Sequence, residues 1–205
     1  MLRAFIGVPL PATYQDGLAA LIRTWRGRIR PEPSWTKTGN WHLTLKFLGD
    51  VPEAQLPELR AALAAVPLQA FTLCAGGGGV FPPAAATGKA PPRVLWAGLA
   101  QGGEACEALA GLLEQALAPL GYAPERRPFS PHLTLARMRV PSRNDRRRTP
   151  PPAPTPNAWA ALLEHLASLA WPEVRVDRFV LWKSTLSPGG SVYEPLAEFL
   201  AQDCA

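Results

Sequence analysis

Apolar positions along this chain alternate between a two-residue and a helical period, and they predict the same order of elements twice. The first half opens on a strand near Arg3–Val8. A stripe of Tyr14, Leu18, Leu21, Ile22, Trp25 and Ile29 then marks an amphipathic helix. A strand follows over Trp41–Leu48, then a helix carrying Leu56, Leu59, Leu63 and Val66, then a strand around Ala70–Cys74. The second half repeats the order. A strand at Arg93–Leu99 leads to a helix with Leu109, Leu112, Leu113, Ala116, Leu117 and Leu120. A strand over Ser130–Ala136 comes next, then a helix with Trp159, Leu162, Leu163, Leu166 and Leu169, and a strand over Val174–Trp182. A last short strand is expected near Val192–Leu196.

A repeated strand–helix–strand–helix–strand order predicts an α+β protein, bilobal, with two pseudo-symmetric βαβαβ-type lobes. We expect a single domain over 1–205, with lobes at about 1–75 and 90–198 and room for strand exchange between them. Two stretches break the rhythm. Gly76-Gly77-Gly78-Gly79 followed by Val80-Phe81-Pro82-Pro83 reads as a loop, and it lacks the Lys-Ser/Thr ending of a phosphate-binding loop. The Pro- and Arg-rich segment 141–156 reads as a surface insertion loop whose Arg146-Arg147-Arg148 run is a solvated face or a contact to phosphates.

Composition changes this picture little. With 47% hydrophobic and 18% charged residues, the chain is an ordinary globular one. No apolar run reaches the roughly 18–20 residues of a membrane span. Met1-Leu2-Arg3-Ala4-Phe5-Ile6 lacks the layout of a signal peptide, so a cytoplasmic protein is expected. Cys74, Cys106 and Cys204 are three in number and none sits at metal-ligand spacing, which argues against a disulfide framework or a zinc knuckle. The net charge of +5 favours polyanionic partners, weakly.

The chemistry lies in the histidines. Two of the three fall in identical tetrapeptides, His42-Leu43-Thr44-Leu45 and His132-Leu133-Thr134-Leu135. On a strand, His42 and Thr44 share one face, roughly 6.5–7 Å apart at Cα, while Leu43 and Leu45 pack beneath. His132 and Thr134 repeat the arrangement. Two such strands facing one cleft would offer two imidazoles and two hydroxyls. Hydrolysis of a cyclic phosphodiester needs a proton taken from water and another delivered to the departing oxygen, on opposite sides of phosphorus. Imidazole does either task near neutral pH, and threonine hydroxyls can donate to the non-bridging oxygens. Two histidines without a nearby carboxylate or cysteine form a poor metal set, so neither metal nor cofactor is expected. His165 lies in a helix pattern and reads as a surface or packing residue.

These residues resemble the two-histidine (2H) phosphoesterase superfamily, and within it the RNA 2′,3′-cyclic phosphodiesterases, also called 2′-5′ RNA ligases. The resemblance runs through Arg3–Val8, Asn40–Gly49, Val94–Leu99, Phe129–Arg137, Phe179–Leu186 and Tyr193–Leu196. It implies a central cleft lined by antiparallel sheets, and RNA or nucleotides with 2′,3′-cyclic phosphate ends as substrates. It also implies His42 as proton donor to the 3′ oxygen, His132 as proton acceptor from water, and Thr44, Thr134 and Arg137 as phosphate-binding residues. A monomer is expected, with no membrane partner. Two other readings stand beside hydrolysis: 2′-5′ joining, its reverse, and non-catalytic RNA binding through the basic surface.

Overall fold

The computed structural model describes residues 1–85, 91–138, 156–187 and 190–202. Its elements are β1 (Leu2–Pro9), α1 (Ala12–Trp25), β2 (Ser34–Trp35), β3 (His42–Val51), α2 (Leu56–Ala64) and β4 (Phe71–Phe81). They continue with β5 (Val94–Gln101), α3 (Gly103–Leu117), β6 (Leu133–Arg137), α4 (Pro156–Ser168), β7 (Val174–Val176), β8 (Arg178–Ser187) and β9 (Gly190–Leu200). The protein is α+β and bilobal. Its strands run in the order β7-β4-β5-β6-β3-β1-β8-β9, with β2 on β6, and every pairing is antiparallel.

The helical stripes land where the periodicity puts them, except that Ile29, Val66, Leu120 and Leu169 fall just past the ends of α1, α2, α3 and α4. Tyr14, Leu18, Leu21, Ile22 and Trp25 of α1 are buried, as are Leu59 and Leu63 of α2, Leu109, Leu113 and Leu117 of α3, and Leu162 and Leu166 of α4. They pack against strand residues such as Ile6, Leu43, Leu95, Leu133 and Leu181 in one continuous core. Burial of one strand face beneath helices leaves the alternate residues on the open face.

Three expectations are corrected by the pairing. The glycine run is not a loop: Gly76–Gly79 lie inside β4, which pairs with β5. The glycines are there because neighbours occupy the space of a side chain. A Cβ on Gly79 would sit 2.4 Å from the Trp96 ring, and one on Gly78 would sit 2.7 Å from Leu166 Cδ1. Gly77, at φ +64°, takes up the bulge between Ala75 and Gly78. Second, the strand expected over Val174–Trp182 is two. β7 pairs with β4 and β8 with β1, the chain changing partners at Asp177. Thus β4 lies on β5 and β8 on β1, so each half lends its last long strand to the other. Third, the closing strand is eleven residues long, because all of β9 is zipped onto β8 as a hairpin. The core of the expected insertion, 141–155 with its arginine run, and Cys204 lie outside the described residues.

Candidate active site

The two tetrapeptides meet at the seam of the sheet. β3 and β6 pair only at Leu43 and Leu133, both fully buried. In an antiparallel pair this register sets His42 opposite Thr134 and His132 opposite Thr44, the residues flanking the paired leucines. Directly opposed Cα atoms lie about 4.5–5.5 Å apart and diagonal ones about 7–8 Å. The structure therefore brings His42, Thr44, His132 and Thr134 onto one half-exposed face. The histidines are diagonal neighbours, and each threonine stands across from the other motif's histidine.

Arg137 reaches that face by a route that simple alternation does not predict. Five residues beyond His132, it should point with the buried leucines. However, Leu95 pairs with Ala136 and Trp96 with Thr134, which leaves Leu135 as an extra residue, a β-bulge. Leu135 and Ala136 are consecutively buried and Arg137 emerges exposed. The first motif repeats the device. Ile6 pairs with Lys46 and Gly7 with Thr44, Leu45 is the extra residue, and Phe47 emerges 57% exposed. Phe47 thus occupies in β3 the place of Arg137 in β6.

Both imidazoles are held alike. His42 Nδ1 lies 2.8 Å from the Asn40 carbonyl and His132 Nδ1 lies 2.7 Å from the Ser130 carbonyl, each two residues back. A carbonyl can only accept, so Nδ1 carries the proton in each ring, and Nε2 is the nitrogen free to exchange one. Aromatic rings wall the imidazoles. Phe5 lies 4.6 Å and Tyr193 5.2 Å from His42, centroid to centroid, and Phe81 lies 5.1 Å from His132. Gly7 completes the fit, since a Cβ there would come within 2.7 Å of the Leu43 carbonyl oxygen and 3.3 Å of His42 Cδ2.

Burial pushes His42 down to about 4, against the Asn40 carbonyl, which favours the charged ring; the charges of Arg137 and His132 push the same way as burial. His132 is lowered for the same reason, with the Ser130 carbonyl opposing and Arg137 adding to the effect. Arg137 is thus close enough to act on both rings. His165 stands apart: its Nδ1 accepts a 2.8 Å bond from Trp25 Nε1, a packing contact between α4 and α1. Residue patterns did not single out the aromatic walls or the two carbonyls; the carbonyls belong to the backbone and carry no residue signature.

Two halves that each present a His-x-Thr strand to a shared face define a two-lobed α+β protein with a paired-histidine site. A family model for LigT-like phosphoesterases matches residues 8–96 and 99–193. The RNA 2′,3′-cyclic phosphodiesterase of Thermus thermophilus is 33% identical over 97% of this chain and 89% of its own length. That of Aeropyrum pernix is 30% identical over 79% of this chain and 82% of its own. The crystal structure of TT0787, also from Thermus thermophilus, superposes with a TM-score of 0.69 at 29% identity, covering 97% of each chain. This chain belongs to the LigT-like phosphoesterase family, of the 2H superfamily. Among the described residues, no helix is long and apolar enough to cross a membrane.

Proposed function

We propose that the protein hydrolyses the 2′,3′-cyclic phosphate ends of RNA or nucleotides to 2′-phosphates. His132 Nε2 takes the proton from the attacking water, and His42 Nε2 delivers one to the departing 3′ oxygen. Bond formation from water to phosphorus and rupture of the phosphorus–O3′ bond leave a 2′-phosphate and a 3′-hydroxyl. The proton gained by His132 and lost by His42 is then exchanged with solvent. Thr44, Thr134 and Arg137 hold the non-bridging oxygens, where charge must be carried during transfer. Curated relatives that bear the name RNA 2′,3′-cyclic phosphodiesterase support this substrate class. A substrate of this kind also supports a cytoplasmic location.

The observation that carries the reading is the matched pair of imidazoles, each with Nδ1 committed to a carbonyl and Nε2 free. A structural pair of histidines would have no need of equal tautomers on facing strands. The test is product analysis on a defined oligonucleotide ending in a 2′,3′-cyclic phosphate, with EDTA present. A 2′-phosphate product is expected. No turnover, a 3′-phosphate product, or activity lost on chelation would overturn the assignment.

The pH profile follows from the buried rings. Turnover needs one imidazole charged and one neutral. Both rings are lowered in the free protein, so at neutral pH both are neutral, and the singly protonated pair becomes populated only as pH falls. The profile of kcat/KM reports the free enzyme. It should therefore rise below pH 7, peak on the acid side of the ordinary histidine value, and fall again once both rings are charged. The productive form carries its charge on His42, the ring that burial lowers to about 4, so it is a minor share of the singly protonated pair in the free protein. The two limbs belong to the coupled pair. A bound phosphate favours the charged ring, so the kcat profile should lie at higher pH. A kcat/KM that keeps rising from pH 6 to 8 would contradict this ionisation scheme.

A further inference from the structure

The two histidines receive equal hydrogen bonds, but their carbonyl partners are held in different ways. Gln15, on the first turn of α1 and half-buried, reaches the loop before β3 with both ends of its carboxamide. Its Oε1 accepts from Gly39 N–H at 2.9 Å, and its Nε2 donates to the Trp41 carbonyl at 2.9 Å. These partners fix the orientation of the amide, since an N–H must meet the oxygen and a carbonyl must meet the nitrogen. Gly39 has φ +87°, a conformation suited to glycine, and the buried Trp41 side chain anchors the loop from its other end. Between these two held peptides lies Asn40. Its Nδ2 donates to the Ser191 carbonyl of β9 at 2.7 Å, and its own carbonyl accepts from His42 Nδ1. Among the described residues, no side chain brackets Ser130 in this way.

We infer that Gln15 and Asn40 form a positioning clamp for His42: one carboxamide holds the peptides on either side of Asn40, the Asn40 side chain ties the loop to β9, and the carbonyl so fixed keeps the His42 proton on Nδ1. The clamp connects α1, the loop 36–41 and β9 to one ring nitrogen. Without it the loop turns, the carbonyl leaves Nδ1, and the ring takes both tautomers and more than one orientation. His132 depends on none of these contacts, so the protein carries its own control. His165 provides a second one. It accepts at Nδ1 from Trp25, so its proton sits on Nε2, the opposite tautomer.

With only three histidines in the chain, two-bond 1H–15N correlation spectra of histidine-labelled protein can read each ring separately. At pH 7.5, the wild type should show His42 and His132 in the Nδ1–H form and His165 in the Nε2–H form. In Gln15→Met, similar in length but without the amide, His42 should move to averaged, two-tautomer shifts, while His132 and His165 stay within the wild-type pattern. Asn40→Ala should do the same through the Ser191 tie. Unchanged His132 and His165 signals certify that the variant is folded. A His42 pattern identical to wild type in both variants overturns the clamp, and so does equal disturbance of His42 and His132. If Gln15→Met loses all three patterns, Asn40→Ala alone decides.

A kinetic arm rests on the proposed function. With a 2′,3′-cyclic nucleotide, kcat in Gln15→Met should fall about tenfold with KM little changed, because the general acid is misplaced while the phosphate contacts remain. A KM rise at constant kcat would speak for a substrate contact instead. Absence of turnover in the wild type would remove the functional reading but leave the tautomer result standing.

Discussion

Replacing His42 with alanine is expected to lower kcat/KM on a 2′,3′-cyclic phosphate by about 10²–10⁴, and replacing His132 by a similar factor, the scale of a lost general acid or base. The same expectation holds for neither His165 nor an unrelated surface residue. The two losses should not multiply. Water attack and departure of the 3′ oxygen belong to one displacement, so once one proton transfer is missing the other is of little use, and the double variant should fall close to the worse single one. The fold should survive. Both rings lie half-buried on the open face, and the leucines that follow them carry the packing. His42→Ala gives up its contacts with Phe5 and Tyr193, which changes the local wall but not the buried seam at Leu43 and Leu133. The measurement is steady-state kinetics alongside circular dichroism. A folded single variant with wild-type-like rate, or two effects that multiply cleanly, would contradict a concerted acid–base pair.

The site was legible in the sequence to the extent that it obeys period two. His42-Leu43-Thr44-Leu45 and its repeat place polar residues on one face and leucines on the other, and the buried leucines bear this out. What that rule misplaces is Arg137. Counting by twos sends it into the core, and only the bulge at Leu135 turns it out, an event that leaves no mark in residue identity. β4 was illegible for a related reason. Four consecutive glycines suggest a turn, whereas here Gly78 and Gly79 make room for Leu166 and Trp96, Gly76 lies against Ala100, and Gly77 supplies the positive φ of the bulge. β7 and β8 read as one strand because Val174, Val176, Phe179, Val180 and Leu181 follow one another closely, and nothing before Asp177 announces that they pair with different neighbours. Hydrophobic period reports which face is buried. It does not report whose side a strand joins.

The bulge at Leu45 has a second effect, which sets the other large expectation. By inserting one residue, it turns Lys46 away from Thr44 and under α3, where its side chain is 2% exposed. There Lys46 Nζ donates to Glu114 Oε2 at 2.6 Å and to the Ala123 carbonyl at 3.0 Å. The pair ties β3, the strand that carries His42 and Thr44, to α3. An ammonium this deep cannot recover its water if the carboxylate is removed. Glu114→Leu should therefore destabilise the protein by about 3 kcal/mol, at the lower end of the range for a broken buried pair because Glu114 is itself 24% exposed. Lys46→Met should cost less, since it removes the buried charge and leaves a carboxylate that water can reach. The double variant Lys46→Met with Glu114→Leu should recover most of the loss, because an apolar pair of similar volume needs no solvation. Chemical unfolding of the four proteins gives the cycle. If Glu114→Leu is no worse than Lys46→Met, or the double variant is the least stable of all, the ammonium is not trapped by burial, and β3 is held against α3 by apolar contacts alone.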